Sequence, residues 1–184
     1  PMPKVVDHEA RRLEISGIAA LLISRGGLEV ATIREIARES GYSKGVIGHY
    51  FDNKEKLIDG ALTWANRQYE RRVTKATQGL RGMSALRKRI EATIPTTKAM
   101  RDEWKVRLVF WSMAAIDPDL RISQKMRFNL AIERFEKDLL EAIADDEIAP
   151  DINARANARH LVNSITGIST AAMHNRTLYT QEFL

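Results

Sequence analysis

Between residues 32 and 54 the chain gathers side chains suited to holding a polyanion and to touching polar edges. The run is Thr32-Ile33-Arg34-Glu35-Ile36-Ala37-Arg38-Glu39-Ser40-Gly41-Tyr42-Ser43-Lys44-Gly45-Val46-Ile47-Gly48-His49-Tyr50-Phe51, with Lys54 just beyond it. An arginine can grip a guanine edge through two hydrogen bonds, and a helix N-terminus favours a phosphate oxygen. Three capping signals sit in this stretch. Thr32 with Glu35 has the form of a capping box, Ser43 is a second N-cap, and Asp52 or Asn53 opens a long run from Lys54 to about Gln78. A capped helix of two turns that stops at Gly41, a short turn and a second short helix are the elements of a helix-turn-helix. Ile33, Ile36 and Ala37 are predicted on the inner face of the first helix, and Val46, Ile47 and Phe51 on that of the second. Lys44, Gly45, Gly48, His49 and Tyr50 then face outward, a small, polar and aromatic surface able to enter a major groove. Other roles compete: Thr32 and Ser43 are caps with or without DNA, Arg34 can pair with the acidic neighbours of Arg38, and Tyr42 suits packing in the turn.

Other chemistries find little support. The absence of cysteine among 184 residues excludes a disulfide scaffold, a thiol nucleophile and thiolate metal sites. A helical di-metal carboxylate site needs inward Glu-x-x-His pairs, and neither these nor His-Glu-x-x-His occurs. His160 and His174 share a helix but stand about 21 Å apart along it, too far to share a metal within one subunit. No catalytic residue, metal or cofactor is expected, and the protein is not read as an enzyme.

The elements that must position these residues are helices throughout. Val6, Ala10, Leu13, Gly17 and Leu21 repeat at helical spacing, widened by Ile15, Ile18 and Leu22, and Gly26-Gly27 ends this first helix. Pro95, Pro118 and Pro150 punctuate the rest. Trp104, Leu108, Trp111 and Ala115 form a stripe between the first two. A helix of nearly thirty residues after Asp117-Pro118 is predicted to bury Phe128, Ile132, Phe135 and Leu139 and to stop at Asp145-Asp146-Glu147. From Ile152 a last clear helix carries Ala158, Leu161, Ile165, Ile168 and Ala172, and Leu178, Tyr179, Phe183 and Leu184 fit a short final one. The fold class is all-α with about nine helices, divided into a helix-turn-helix unit over 1–52 and a helical body over 53–184. The longest apolar stretch, Leu108 to Ile116, is far short of the roughly twenty residues of a membrane helix, and the N-terminus lacks the apolar core of a signal peptide. A soluble cytoplasmic protein without a membrane partner is expected, with Pro1 an addition ahead of Met2.

The run from about residue 10 to 64, with its G-Y-S-K-G, H-Y-F and N-K-E-K-L pieces, resembles the DNA-binding domain of the TetR family of transcriptional regulators. Its flavour is that of the BetI-like and AcrR-like branch, whose recognition helix also ends in H-Y-F. The resemblance implies a DNA-binding regulator, by family default a repressor that binds a palindromic operator as a homodimer and is released by a small-molecule effector. It implies that Arg34 reaches a base edge and that Thr32 and Ser43 stand at helix N-termini that meet the DNA. Lys44 and Gly45 then open the recognition helix, His49 and Tyr50 touch backbone or bases, and Lys54 binds phosphate. Gly48 departs from the pattern where many members have a phosphate-binding tyrosine, and Val46 where many have a threonine. Fewer phosphate contacts, or dependence on His49 and Tyr50, follow from that.

For the body the resemblance implies a ligand pocket and a dimer interface. The pocket candidates are Trp104, Arg107, Phe110, Trp111, Phe128 and Asn129, where aromatic faces with a polar handle could hold an apolar, aromatic or cationic ligand, against the plainer reading of these aromatics as core. The small, smooth stripe Leu161, Ile165, Ile168 and Ala172 suits a four-helix bundle built from two helices of each subunit. A rival function is a helical protein-interaction module whose helix-turn-helix is only structural.

The net charge of +5 is unevenly spread. Residues 1–56 carry 9 Lys/Arg against 8 Asp/Glu, residues 57–91 carry 8 against 3, and residues 92–184 carry 12 against 13. The surplus therefore lies at Arg67, Arg71, Arg72, Lys75, Arg81, Arg87, Lys88 and Arg89, not in the segment that resembles a DNA reader. Lys75 lies about 32 Å along a helix from Lys54, and screening at physiological salt decays over about 8 Å. These charges are left to the acidic stretch around Asp145 or to an anionic partner.

Overall fold

The computed structural model describes residues 7–184, so Val6 lies outside the described residues. Among these the chain forms eight α-helices and no strand: α1 (His8–Gly26), α2 (Ile33–Ser40), α3 (Lys44–Tyr50), α4 (Lys54–Thr77), α5 (Gly82–Glu91), α6 (Lys98–Ala114), α7 (Pro118–Ala144) and α8 (Ala154–His174). The short helix expected at the C-terminus is a series of turns, in which the Tyr179 and Phe183 rings meet edge to face at 5.4 Å.

Two apolar cores organise the helices. The first joins Ile15, Ala19 and Ile23 of α1, Ile36 of α2, Ile47 of α3 and Phe51 to Leu57, Ala61 and Ala65 of α4 and to Val106 of α6. Burial of each such large side chain stabilises by roughly 1.5–3 kcal/mol. Ala10 is exposed and Leu13 and Leu21 only half-buried, so the inward face of α1 is centred on Ile15, Ala19 and Leu22 rather than on the stripe expected from spacing. Ile33 also departs from expectation, standing exposed at the first position of α2, while Ile36 is buried and Ala37 is half-buried against the first core. Two glycines allow α1 and α4 to approach closely. A Cβ on Gly60 would lie 2.7 Å from the Phe51 ring and 2.8 Å from Ser16 Oγ, and one on Gly17 would lie 2.7 Å from the Trp64 indole nitrogen.

The second core joins Leu86 of α5 and Ile94 to Ile132, Phe135 and Leu139 of α7 and to Ala158, Val162 and Ile165 of α8. The acidic end of α7 has a specific task there. No side chain of its own caps α5, yet its Gly82 N–H donates to Glu141 Oε2 (3.3 Å) and its Met83 N–H to Glu147 Oε2 (2.7 Å), while Arg81 pairs with Asp145 at 2.8 Å. Carboxylates at a helix N-terminus satisfy free amides and favour the helix dipole. Much of the basic surplus is absorbed in the same way. Arg67 pairs with Glu9, Lys88 with Glu91, Arg72 grips Glu103 through two 2.8 Å hydrogen bonds, and Arg89 holds Asp138 at 2.6 and 3.0 Å within the body. Burial opposes the charge on Arg89, but the Asp138 hydrogen bonds and charge outweigh it and raise its pKa.

Candidate functional site

The segment from Thr32 to Lys54 is built by three successive caps. Thr32 Oγ1 accepts from the Glu35 N–H at 3.2 Å, Ser43 Oγ from the Val46 N–H at 3.2 Å, and Asn53 Oδ1 from the Lys56 N–H at 2.8 Å, which resolves the third cap to Asn53. Gly41, at φ 72°, takes the left-handed turn between α2 and α3 at no steric cost. Ile47 and Phe51 are buried behind α3, and Lys44, Gly45, Gly48 and His49 are left on its exposed side with Tyr50 half-buried at its end. The phenol of Tyr50 is held 3.0 Å from His8 Nδ1, and its ring meets His49 edge to face at 5.4 Å. His8 thus steadies an outward aromatic from a different helix, a role that no short-range pattern signals.

The charged residues sort by partner. Arg38 is taken by Glu35 at 2.6 Å and Glu39 at 3.3 Å, so Arg34 keeps an exposed guanidinium with no ion pair among the described residues, as does the ammonium of Lys44. Lys54, the first residue of α4, is exposed, with Glu29 Oε1 3.8 Å away. Tyr42 is turned inward to the α1 side, where its hydroxyl donates to Glu14 Oε2 at 2.9 Å and Arg11 lies over its ring at 5.2 Å.

A second site lies inside the body. A cavity of about 300 Å³ opens between α4, α6, α7 and α8. Trp104, Arg107, Trp111 and Phe128 line it, but Phe110 and Asn129 do not. Phe110 packs instead with Leu62 and Ala114 at 1% exposure, and Asn129 points off the outer side of α7. The wall also includes Tyr69 and Glu70 of α4, Arg127 and Arg134 of α7, and Ile165 of α8. The spacing Arg127, Phe128, Ala131, Arg134, Phe135 on one helix carries the missed signal, arginines flanking an inward apolar stripe. Trp104 and Trp111 meet edge to face at 5.6 Å, and the Trp104 indole donates to the Thr93 carbonyl at 3.0 Å. Burial holds the Arg107 and Arg127 guanidinium groups below their ordinary pKa, with Glu103 and Asp59 respectively opposing that effect most.

On α8, half of the stripe expected at a dimer interface packs within the chain. Ile165 and Ala172 are buried within the chain at 7% and 5% exposure, because α8 turns Ala158, Val162, Ile165 and Ser169 toward its own body. Leu161 and Ile168 are only half-buried, on the flank. The outward side is Ser164 and Gly167 with half-buried Ala171, and a Cβ at Gly167 would meet nothing within 4 Å. Among the described residues no group of three or more His, Asp or Glu side chains could hold a metal ion, and no helix is long and apolar enough to cross a membrane.

An exposed short helix behind a capped partner, set on a larger helical body with an internal cavity, is the architecture of a helix-turn-helix regulator. The comparisons agree. Residues 18–61 match the family model of bacterial regulatory proteins of the tetR family, and residues 83–183 match that of the BetI-type transcriptional repressor C-terminal domain. The chain belongs to the tetR family of bacterial regulatory proteins, with a BetI-type body. Among curated relatives it is 29% identical over 179 residues to the HTH-type transcriptional regulator PksA of Bacillus subtilis, covering 94% of this chain and 83% of that protein. It is 30% identical over 154 residues to the HTH-type transcriptional regulator BetI of Paraburkholderia phymatum, covering 78% of this chain and 76% of that one. Two solved structures share the fold. They are a putative transcriptional regulator from Saccharomonospora viridis in complex with choline (TM-score 0.82, 21% identity, 95% and 91% of the two chains) and a transcriptional regulator from Rhodococcus sp. Rha1 (TM-score 0.78, 23% identity, 97% and 89%). The protein is thus a DNA-binding regulator of transcription.

Proposed function

We propose that the protein acts as a homodimeric repressor on a palindromic operator and that a small molecule in the body cavity releases it. In this reading residues 1–52 are the DNA-reading unit and 53–184 the regulatory body. Arg34 and the start of α3 at Lys44 and Gly45 meet base edges, while Thr32, Ser43, His49, Tyr50 and Lys54 position the backbone. Arg34 and Lys44 are exposed and have no ion pair among the described residues, which supports their assignment, since surface cations without partners lose least on meeting phosphates or bases. Such a regulator works in the cytoplasm, where bacterial DNA lies.

One observation carries the coupling. α4 and α6 belong to both compartments. Leu57, Ala61 and Ala65 of α4 and Val106 of α6 pack in the reading unit's core, whereas Tyr69 and Glu70 of α4 and Trp104, Arg107 and Trp111 of α6 line the cavity. A ligand that prefers one packing of these two helices shifts the reading unit against the body and changes the separation of the two recognition helices in a dimer. For that dimer the outward strip Leu161, Ser164, Gly167, Ile168 and Ala171 is the better-placed face, with Ile165 and Ala172 acting from behind it. The choline held by the Saccharomonospora viridis protein supports a small organic molecule as the effector class. The test is solution mass combined with gel-shift titration over a salt series. A dimer whose affinity for DNA falls steeply with salt agrees with the proposal, and a salt-insensitive apolar partner would favour an interaction module instead.

A further inference from the structure

The cavity is largely apolar, yet its charged residues do not cancel. Four line it: Glu70, Arg107, Arg127 and Arg134. Glu70 and Arg134 form a close pair at 2.5 Å. Arg107 and Arg127 have no comparable partner. The nearest carboxylate oxygen to Arg107, Glu103 Oε2, is 4.0 Å away, beyond hydrogen-bond reach, and both oxygens of Glu103 already accept from Arg72 at 2.8 Å. Arg127 donates to Ser123 Oγ at 2.8 Å and has no ion pair among the described residues. Arg107 is 8% exposed, so a full positive charge is buried at the cavity wall without a neutralising hydrogen bond to a carboxylate. Removing such a charge from water is costly unless an anion joins it.

The aromatic wall sharpens the point. Tyr69 and Trp104 offer the faces on which a quaternary ammonium would rest. Those faces are already taken from within, because the Arg107 guanidinium carbon lies 4.9 Å from the Tyr69 ring centre and 5.6 Å from that of Trp104. Arg127 lies 5.3 Å from the Phe110 ring centre in the same manner. An incoming cation would meet two guanidinium groups that lack a carboxylate hydrogen bond and an occupied aromatic face.

We propose that the cavity binds an organic monocarboxylate with an apolar or aromatic body, its carboxylate held by Arg107 in the field of Arg127 and its body against Trp111 and Phe128. A planar guanidinium fork matches a carboxylate through paired hydrogen bonds, which gives the site both charge and orientation. The inference rests on the reading of this cavity as the effector site and names the chemistry of the effector.

Calorimetric titration of the full chain with benzoate, 3-phenylpropionate and octanoate, with their neutral amides and with choline, tests it. The expected result is a carboxylate that binds at least tenfold more tightly than its own amide, with choline not binding. In Arg107→Gln and in Arg127→Gln the ratio between carboxylate and amide should fall toward one. Arg127 is half-buried, so its variant keeps the test open if Arg107→Gln fails to fold, and the wild-type ratio needs no variant at all. Amide or choline binding as tightly as carboxylate, or a ratio intact in both variants, would overturn the charge assignment while leaving the cavity an effector site. No binding by any of these probes to protein that still binds DNA would overturn the effector site along with it.

Discussion

Val106 and Arg107 are neighbours on α6 that belong to different compartments: Val106, 2% exposed, is packed in the core behind the reading helices, and Arg107 lines the cavity of the body. One turn of helix therefore touches both the core of the reading unit and the body cavity. Val106→Ala should destabilise the fold by about 2 kcal/mol from lost burial and the void left behind. It should also weaken DNA binding without lying near DNA. Urea unfolding and fluorescence anisotropy on a bound DNA fragment measure the two effects, and DNA affinity equal to wild type would break the proposed link through α6.

The outward cations make separable contributions. Lys54→Ala, at the proposed phosphate contact, should weaken binding to all sequences alike and reduce the log–log salt slope by about 1. Arg34→Ala, if Arg34 holds a base edge, should cost about 1–3 kcal/mol and relax preference at one position of each half-site. Competition binding against singly substituted operators distinguishes them, and a uniform loss for both variants would assign Arg34 to the backbone.

Gly48 lies within α3 with open space where a Cβ would stand. Gly48→Ala should therefore stabilise the protein by about 0.5–1 kcal/mol through helix propensity. Gly60 is the opposite case, since its added methyl meets Phe51 and Ser16. Gly60→Ala should cost about 1–3 kcal/mol by overpacking α1 against α4. Paired thermal melts check both signs, and equal shifts would show that neither glycine is placed as described.

Asp138 is 2% exposed and is held by Arg89. Asp138→Ala strands a buried guanidinium and should cost about 3–5 kcal/mol, far more than loss of an exposed pair such as Lys88 with Glu91. Chemical denaturation of the two variants compares them directly.

Asp102 supplies a pH signature. Burial tends to raise its pKa, but hydrogen bonds from Lys98 at 2.9 Å and Lys105 at 3.1 Å prevail and hold it below the ordinary value. A carboxyl lowered on folding contributes stability above its unfolded value of about 3.9, and that contribution is lost as pH falls through the lower folded value. The melting-temperature gap between wild type and Asp102→Asn should be open above about pH 5 and close in stronger acid. A gap independent of pH would contradict this.

Local rules made the reading unit legible. The caps at Thr32, Ser43 and Asn53 and the turn at Gly41 depend on residues three or four apart, and the structure places them as their chemistry requires. Two features of the body were hidden because they depend on partners far along the chain. Glu141 and Glu147 cap α5 from the end of α7, and Arg127 and Arg134 are cavity residues only because α7 lies against α4 and α6. Helical spacing marks α8 with a continuous apolar stripe but does not say which side faces its own body, and Ile165 packs there. In the basic stretch of 57–91, Arg81 meets Asp145 in the acidic stretch expected to face it, whereas Glu103 and Asp138 answer Arg72 and Arg89 from α6 and α7, partners that no local spacing signals.

The central claim is that the segment from Thr32 to Lys54 reads DNA as one of a symmetric pair. Selection of bound fragments from the genome of the source bacterium, with wild type and Lys44→Ala in parallel, followed by footprinting of the enriched site, tests it most directly. The expected result is one enriched palindrome, with two protected half-sites about one DNA turn or a multiple of it apart and enrichment lost in the variant. A protein that enriches no sequence, or whose enrichment survives the loss of Lys44 unchanged with a single unpaired footprint, would contradict it.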